Sequence, residues 1–423
     1  MPHYYNWSKA YGSPFLYWFG TKARLAISDP DMIKEILVSK AGSFEKPSFN
    51  PAFMGLFGEG LVVLKGEKWV VHRRITSLAF NMERVKVVLF NLLLIEWVPE
   101  IVDSTRNMMS KWDAKIGVAS NSEFEFDVHK EFHDLSADII SRTAFGSNFS
   151  EGKRIFELQE QQVALLLQGF RNVSIPGFRY IPTKKNKLRW KLKKETTELI
   201  RKLIEKNKDT IQHTNTLLAS LMSPSKKDDI LDLKEIVDEC KTFYFAGKET
   251  TANLLTWAFL ILALQQEWQN KAREEVNRVC GHNAFPCAND LANLKIVSLH
   301  SNDDETSLNV KLGGTLNIPV GTQLFLAMTA VHYDTNLWGE DANEFNPMRF
   351  VEPRNHLASF FPFGLGSRVC VGQNLAMVEA KIVLAMIVRQ YSFVISPTYV
   401  HAPMQSLTLQ PQFGAQIIFS SRR

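Results

Sequence analysis

A cysteine at the end of a glycine-rich loop is the residue of this sequence best suited to chemistry. Cys370 closes the string FFPFGLGSRVC and stands directly before an amphipathic segment with helical periodicity. A helix N-terminus presents unpaired N–H groups and a positive dipole end, and both stabilise a thiolate. Gly366 and Gly372 leave side-chain-free surface on either side of the sulfur, as a flat macrocycle requires. Arg368 adds a cation suited to a carboxylate on such a ligand.

The pattern around Cys370 favours iron over zinc. No second cysteine or histidine lies near it in sequence, whereas a structural zinc ion takes four protein ligands. A single thiolate is one of the ways in which proteins bind haem iron. The residues alone also allow an ordinary buried cysteine at a helix start, which is the usual environment of a lone cysteine.

A second candidate site lies in the middle of a long helix predicted over residues 231–264. Its sequence there is AGKETT, in which Gly247 and the threonines weaken the helix because threonine hydroxyls compete for backbone carbonyls. A local opening places the Glu249 carboxylate beside the Thr250 hydroxyl, a pair that accepts protons from water and passes them on. Taken alone, the segment is more simply interpreted as a core helix with an exposed glutamate.

A third pair, Trp69 and Arg73, lies four residues apart in the predicted helix EKWVVHRRITSLAF. Residues at this spacing share one face of a helix. Without further context the pair is a half-buried tryptophan beside an arginine whose aliphatic stem packs on the surface.

Composition excludes several classes of protein. The 423 residues include 49 Lys+Arg and 44 Asp+Glu, and 45% are hydrophobic, which excludes a disordered or low-complexity chain and allows a large core. The mild net charge of +5 does not predict binding to nucleic acid. Four cysteines in so long a chain do not form a disulfide framework, so a reducing compartment is expected.

The elements that must hold these residues are mostly helical. Helical periods dominate from Trp69 to Thr256, and another helix is predicted over residues 371–391. Residues 311–327 alternate like a strand pair, with turns at Gly313-Gly314 and at residues 319–321. The absence of βαβ alternation predicts a mainly α fold with a small β region.

Together these segments resemble the cytochrome P-450 superfamily. The string Phe363-x-x-Gly366-x-Arg368-x-Cys370-x-Gly372 matches its haem-binding loop at every defining position. AGKET resembles the oxygen-activation motif, the Trp69 helix resembles WxxxR, and FNPMRF resembles the PxRF element that precedes the loop. The wording of YGSPFLYWFG and HYDTNLWGEDANEFNPMRF is similar to the plant clan grouped with family 72.

The resemblance implies a role for each candidate residue. It implies one cytochrome P-450 domain over residues 1–423 with haem b as cofactor and Cys370 as the thiolate ligand of the iron. Phe363, Gly366 and Gly372 are expected to pack beside the sulfur and leave space around it. Trp69, Arg73 and Arg368 are expected to bind the haem propionates. Glu249 and Thr250 are expected to relay protons.

The implied activity is haem-thiolate monooxygenation, in which one atom of O2 enters an apolar small organic substrate and the other leaves as water. The implied partners are O2, the substrate and an NADPH-dependent flavin reductase, with no nucleic acid, for a monomer that makes peripheral membrane contact. The family implies the cytosolic face of the endoplasmic reticulum membrane, although MPHYYNWSKAYG has no anchor pattern, which also allows a cytosolic chain. The alternatives are an inactive or truncated haem-binding relative and, as a third class, a helical scaffold without haem.

One departure from the family pattern affects these expectations. The family has a Glu-x-x-Arg helix where this sequence, near residues 297–310, is polar and lacks the motif. In the family that pair holds the PxRF arginine, here Arg349. Unless Asp303, Asp304 or Glu305 replaces the motif, we expect Arg349 to lose its partners. A buried arginine without a partner is costly, which predicts weak haem binding and little or no activity.

Overall fold

Helices make up most of the computed structural model, as the sequence predicts. The model describes residues 2–39, 41–46, 53–80, 87–118, 123–147, 149–170, 177, 180–208, 216–222, 230–281, 285–287, 290–293, 303–306, 310–314, 316–350 and 356–422. Its α-helices are α1 (Pro2–Tyr11), α2 (Pro30–Lys34), α3 (Phe53–Phe57), α4 (Gly66–Phe80), α5 (Val87–Val118), α6 (Val128–Phe145), α7 (Phe149–Phe170), α8 (Lys184–Asn207), α9 (Leu217–Met222), α10 (Leu233–Leu264), α11 (Gln266–Cys280), α12 (Met328–His332), α13 (Thr335–Trp338) and α14 (Gln373–Gln390).

The strands are short and belong to four small sheets within the described residues. They are β1 (Phe15–Phe19), β2 (Lys22–Ile27), β3 (Phe44–Glu45), β4 (Glu123–Asp127), β5 (Asp303–Thr306), β6 (Val310–Leu312), β7 (Leu316–Ile318), β8 (Gln323–Leu326), β9 (Tyr391–Ile395), β10 (Pro403–Gln405), β11 (Leu409–Pro411) and β12 (Gln416–Ser421).

The chain packs as two compact units, and the predicted single domain stays a prediction. The first unit comprises Met1–Ser48 and Lys295–Val371, and the second comprises Phe49–Leu294 and Gly372–Arg423. Each unit has its own sheets and its own apolar core, so each is described separately.

The first unit is built on a five-stranded sheet with the order β1-β2-β8-β5-β3. Strand β2 pairs in parallel with β8, and the other pairs are antiparallel. The predicted turn at Gly313-Gly314 joins β6 to β7, and both glycines have positive φ, 57° and 72°. Residues 319–321 do not close a second hairpin, because β8 leaves β7 and pairs with β2 and β5 instead.

The string Asp29-Pro30-Asp31, an N-cap residue followed by proline, predicts a helix start, and α2 begins there. Asp29 accepts a hydrogen bond from the Met32 N–H at 2.8 Å, and Pro30 occupies the first turn. A π-helical turn, Glu35–Ser39, continues it. The buried apolar side chains of this segment and of the sheet form one core, which includes Ile27, Ile33, Ile36, Leu324, Leu326 and Val331.

The second unit is organised around α10, a helix of 32 residues, about 50 Å long at 1.5 Å per residue. Asp232 and Glu235 form a capping box at its start. The predicted opening near Gly247 is wrong, because α10 runs unbroken from Leu233 to Leu264. A Cβ on Gly247 would lie 2.5 Å from the Ile140 side chain, so this glycine lets α6 and α10 pack closely.

An aromatic cluster joins the three-stranded sheet β4-β12-β9 to α5 and α10. Trp112 is fully buried, with its ring centroid 5.1 Å from that of Phe126 and 5.0 Å from that of Phe419. Phe393 lies 5.1 Å from Phe259 of α10. These ring contacts hold the sheet against α5 and, at Phe259, against the C-terminal part of α10.

Candidate functional site

The cysteine loop is a tight turn that presents its thiol to the outside of the first unit. The Cys370 N–H donates to the Phe363 carbonyl at 2.8 Å, and the Val369 N–H donates to the Gly366 carbonyl at 3.2 Å. The loop therefore brings Phe363 and Cys370 together, as the motif predicts. Cys370 is exposed, whereas Phe363 and Arg368 are partly buried. An exposed thiol on a fixed backbone is a suitable metal ligand.

The structure explains two glycines of the motif, Gly366 and Gly372, in different ways. Gly366 has φ +74°, and a Cβ there would lie 1.9 Å from the carbonyl oxygen of Leu37. Only glycine fits, because the obstacle is backbone. A Cβ on Gly372 would meet no atom within 4 Å. Gly372 therefore has open space where its side chain would be, which fits a residue next to a large flat group such as haem.

The other cysteines are less suitable ligands. Burial raises the pKa of the fully buried Cys240 thiol above the range in which it ionises in water. Cys280 is buried and its thiol pKa is also raised by burial. Cys287 is exposed but lies outside any glycine-rich loop. In the part of the chain that the structure describes, no group of three His, Cys, Asp or Glu residues is arranged to hold a metal ion.

Aromatic packing supports the segment that precedes the loop. The Phe350 ring lies 5.7 Å from Trp338 and 4.6 Å from Phe360. His332 accepts a hydrogen bond from the Phe361 N–H at 3.3 Å. These contacts fix the chain two residues before Phe363, so His332 has a structural role here.

Arg349 is well satisfied, which corrects the expectation that it loses its partners. We call residues 339–350 the meander. The Arg349 guanidinium donates to the Asp341 carboxylate at 3.2 Å and to the carbonyls of Asp341 at 2.7 Å and Glu344 at 3.1 Å. It also donates to the carbonyls of Asn346 at 3.2 Å and Trp338 at 3.5 Å. The segment itself replaces the missing partners, since its turns direct several carbonyls toward one point.

The interval predicted to lack the Glu-x-x-Arg helix, 297–310, lies largely outside the described residues. In the middle of this interval, residues Asp303–Thr306 form β5, which pairs with β3 and β8. Among the described side chains, Asp341 supplies the carboxylate bound to Arg349. The side chains of the expected replacements Asp303, Asp304 and Glu305 lie outside the described part of the structure.

Trp69 and Arg73 lie on α4, as predicted, and both are partly buried. Sequence reasoning missed His72 between them. Its side chain is 2% exposed, and its Nδ1 lies 2.5 Å from a carboxylate oxygen of the fully buried Glu239 on α10. Burial raises the pKa of Glu239, and the hydrogen bond with His72 opposes that shift. This buried pair fixes the rotation of α4, and therefore the direction of Trp69 and Arg73.

The segment before α4 is also bound to α10. Asp238 accepts a hydrogen bond from the Glu59 N–H at 3.0 Å, and Thr242 donates to the Phe57 carbonyl at 3.1 Å. A Cβ on Gly58 would lie 2.2 Å from Asp238, and one on Gly60 would lie 2.3 Å from Thr242. Residues 57–61 therefore lie directly against the polar start of α10.

Glu249 and Thr250 follow one another on α10, but their side chains bind different groups. The Glu249 carboxylate accepts a hydrogen bond from the Thr408 hydroxyl at 2.7 Å, in the loop between β10 and β11. Thr250 donates to the Ala246 carbonyl of its own helix at 2.7 Å. Sequence reasoning missed Thr408, because nothing local marks a threonine in that loop as a partner of α10.

The predicted residues divide between the two units. Phe363, Gly366, Arg368 and Cys370 belong to the first unit, whereas the others belong to the second. Their individual roles remain predictions. No described helix combines the length and the apolar character needed to cross a membrane.

Comparison with known proteins identifies the family. A model of the cytochrome P450 family matches residues 2–300 and 301–419. Cytochrome P450 734A1 of Arabidopsis thaliana is 42% identical over 444 residues, covering 99% of this chain and 82% of that protein. Cytochrome P450 CYP72A616 of Paris polyphylla is 39% identical over 436 residues, covering 96% of this chain and 81% of that protein.

The fold agrees with this relationship. The haem domain of cytochrome P450DA, a crystal structure, matches with a TM-score of 0.85 at 19% identity, covering 100% of this chain and 93% of that one. The chain belongs to the cytochrome P450 family, and the predicted fold and the likeness to the plant clan are confirmed. It is a haem-thiolate monooxygenase by family, with haem as cofactor and O2, an organic substrate and a redox partner as the reactants that the family requires.

Proposed function

We propose that this chain is an active monooxygenase whose haem iron is bound by Cys370. The observation that carries the proposal is the exposed Cys370 thiol, held by the hydrogen bond from its N–H to the Phe363 carbonyl. Cys240 and Cys280 are buried thiols whose pKa is raised, which opposes the thiolate form. Cys370 is therefore the thiol best suited to the iron.

The remaining motif residues would hold the cofactor. Arg368, Trp69 and Arg73 supply an indole N–H and two guanidinium groups, which suit the carboxylates of haem propionates. Gly366 keeps the loop against the Leu37 carbonyl, and the open side of Gly372 leaves space for the macrocycle.

The substrate is a small apolar organic molecule. An apolar cluster in the second unit consists of the buried Leu56, Phe57, Leu166 and Phe245 with Val163 and Leu407 against them. Phe245 lies four residues before Glu249 on α10, so the two share one helix face. Apolar side chains beside a few polar groups are typical of small-molecule pockets.

Haem supplies the activation of O2, and the chain supplies protons and keeps water out. The reaction consumes protons because one oxygen atom leaves as water. The Glu249 carboxylate holds and releases a proton, and the Thr250 hydroxyl next to it passes protons on. Electrons come from a flavin reductase that uses NADPH.

The same proposal includes the cytosolic face of the endoplasmic reticulum membrane, with peripheral contact through α8. Six lysines of the run 184–194 are exposed, and Leu188 and Trp190 among them are 41% and 46% exposed. Basic and exposed apolar groups on one helix suit an anionic lipid surface.

The competing function, an inactive haem-binding relative, rests on the missing partners of Arg349. Asp341 and the meander carbonyls supply those partners, which removes that reason for weak haem binding.

The test is a carbon-monoxide difference spectrum of the reduced, purified protein. We expect the thiolate spectrum from the unmodified chain and from Cys287→Ala, a matched change at another exposed cysteine. Cys370→Ala should abolish it. A thiolate spectrum that survives Cys370→Ala would contradict the assignment, and stable haem without oxygenation of any apolar substrate in the presence of reductase would favour the inactive relative.

A further inference from the structure

The Glu249 carboxylate connects α10 to two other elements of the second unit. One oxygen accepts hydrogen bonds from the Thr408 hydroxyl at 2.7 Å and from the Asn253 amide at 3.2 Å. The other oxygen lies 3.8 Å from Nδ1 of His133 on α6. Glu249 is therefore held on one side and faces an imidazole on the other.

His133 is the inner member of a histidine pair. His129 lies one turn earlier on α6, and the two ring centroids are 4.3 Å apart. Three polar atoms here are buried and have no hydrogen-bond partner within the described part of the chain, namely Nδ1 of His129, Nε2 of His133 and Oδ1 of Asn253. Buried polar atoms without partners are rare, and a cluster of three next to Glu249 requires an explanation.

The electrostatics keep His133 uncharged. Burial lowers its pKa to about 3, and the charges of His129 and Lys248 act in the same direction, while the nearby Asn253 side chain opposes them. The pKa of His129 is also lowered by burial. Lys248 is itself paired with Glu160. A neutral imidazole has one N–H and one bare nitrogen, so it can give a proton at one side and take one at the other.

We propose that His133 positions and reprotonates Glu249, which makes α6 the entry of protons into the site. This inference rests on the proposed function, in which Glu249 delivers protons during the reduction of O2. After Glu249 gives up its proton, its carboxylate takes the Nδ1 proton of His133. His133 takes a proton from solvent at Nε2 by way of His129 and stays neutral. The starting tautomer returns when Nδ1 takes a proton from solvent and Nε2 releases its own, and no electron moves.

The first experiment measures how O2 reduction is divided between peroxide and product or water. His133→Phe removes both ring nitrogens and keeps the ring volume, His133→Gln keeps one donor, and His401→Phe is a control at an exposed histidine. Each variant is assayed with reductase, NADPH and O2 after its haem content and carbon-monoxide spectrum are recorded. We expect His133→Phe to raise the peroxide-to-NADPH ratio about tenfold, below the effects of about 100-fold and more from removing a general acid itself.

In the same assay we expect His133→Gln to be intermediate, His401→Phe to match the parent protein, and haem content to be unchanged. A structural role for His133 would lower haem content and leave the ratio unaltered. If Glu249→Gln diverts electrons to peroxide while His133→Phe does not, the relay is overturned and the proposed function stands.

The second experiment does not depend on activity. In protein labelled with ¹⁵N-histidine, the nitrogen shifts report which ring nitrogen carries the proton, and His133→Phe assigns the signal. We expect His133 to remain neutral at pH 5 with its proton on Nδ1, and to shift toward the Nε2 tautomer in Glu249→Gln. A His133 signal that does not respond to Glu249→Gln overturns the relay even if the chain shows no thiolate spectrum, an outcome that would separately remove the proposed function.

Discussion

Arg349 and Asp341 form an ion pair of 3.2 Å within the meander, and the arginine side chain is only 13% exposed. The same guanidinium donates to the carbonyls of Asp341 and Glu344. Among the described residues, the charge of Arg349 is thereby compensated within the segment 338–349, without a helix from elsewhere in the sequence. A segment that binds its own arginine can keep its shape where Trp338 and Phe350 pack against Phe360, just before the cysteine loop.

We predict that replacing Arg349 destabilises the protein more than replacing Asp341 does. Asp341→Asn should lower the free energy of unfolding by about 1 kcal/mol or less, because Asp341 is 41% exposed and exposed ion pairs contribute little to stability. Arg349→Met should cost roughly 2–3 kcal/mol, because several meander carbonyls lose their donor. The midpoint of thermal unfolding measures both, with Glu344→Gln as control, since Glu344 contributes only its carbonyl. A larger loss from Asp341→Asn than from Arg349→Met would contradict this account.

Replacing Gly366 and Gly372 by alanine should have different effects on stability and on haem binding. Gly366→Ala places a Cβ against the Leu37 carbonyl at positive φ, a strain of roughly 1–3 kcal/mol or more, and should lower both stability and haem content. Gly372→Ala meets no atom and should leave the unfolding of the apoprotein unchanged while weakening haem binding. Apoprotein unfolding and haem titration separate the two effects. Equal loss of apoprotein stability in both variants would contradict the distinction.

Glu379 should make the stability of the second unit depend on pH. Burial raises the pKa of Glu379 to about 8 from 4.5, and the hydrogen bond from the Ser136 hydroxyl offsets only part of that shift. The native protein holds a proton that the unfolded chain has released, so stability falls as pH rises from 4.5 to about 8. Each pKa unit corresponds to about 1.4 kcal/mol, so the free energy of unfolding falls by at most about 5 kcal/mol over this pH range.

Glu379→Gln should remove that dependence. Thermal unfolding recorded between pH 5.5 and about pH 8.5, the window set by linkage, should show a flatter profile and a gain at the alkaline end. Glu274→Gln on the exposed side of α11 should leave the profile unchanged. An identical slope in Glu379→Gln and the parent protein would show that Glu379 ionises without cost.

Helix α8 should bind anionic vesicles. Lysines near such a surface contribute about 1 kcal/mol each, and Trp190 and Leu188 are exposed beside them. Leu188→Ser and Trp190→Ser should reduce sedimentation with anionic vesicles, whereas Val400→Ser, at another exposed apolar position, should not. Raised salt should weaken binding because it screens the lysines. Equal binding to neutral vesicles would exclude the electrostatic part of this proposal.

Local sequence patterns predicted the elements that carry the site. The Asp29 cap of α2, the Gly313-Gly314 turn and the long α10 follow from interactions among residues close in sequence. The cysteine loop could be recognised because its requirements, such as the close approach of Gly366 to Leu37, each restrict one residue type.

Partner choice over long distances could not be predicted. Glu249 and Thr408 are 159 positions apart, and His72 and Glu239 are 167 apart. No periodicity indicates which of many polar residues will meet once helices pack. The misjudged opening at Gly247 has the same origin, because Ile140 on another helix determines what that glycine does. The pair His129 and His133 at helical spacing was the one local signal that could have been noticed.

The binding of residues 57–61 to the start of α10 has a consequence for motion on slow timescales. The amide of Glu59 donates to Asp238, and Leu61 supplies a backbone hydrogen bond to the buried Glu239. Opening this segment would take one hydrogen bond from each of these two buried carboxylates. Amide hydrogens of this loop should therefore exchange with solvent as slowly as those of α10, in one cooperative unit, although loops usually exchange fast.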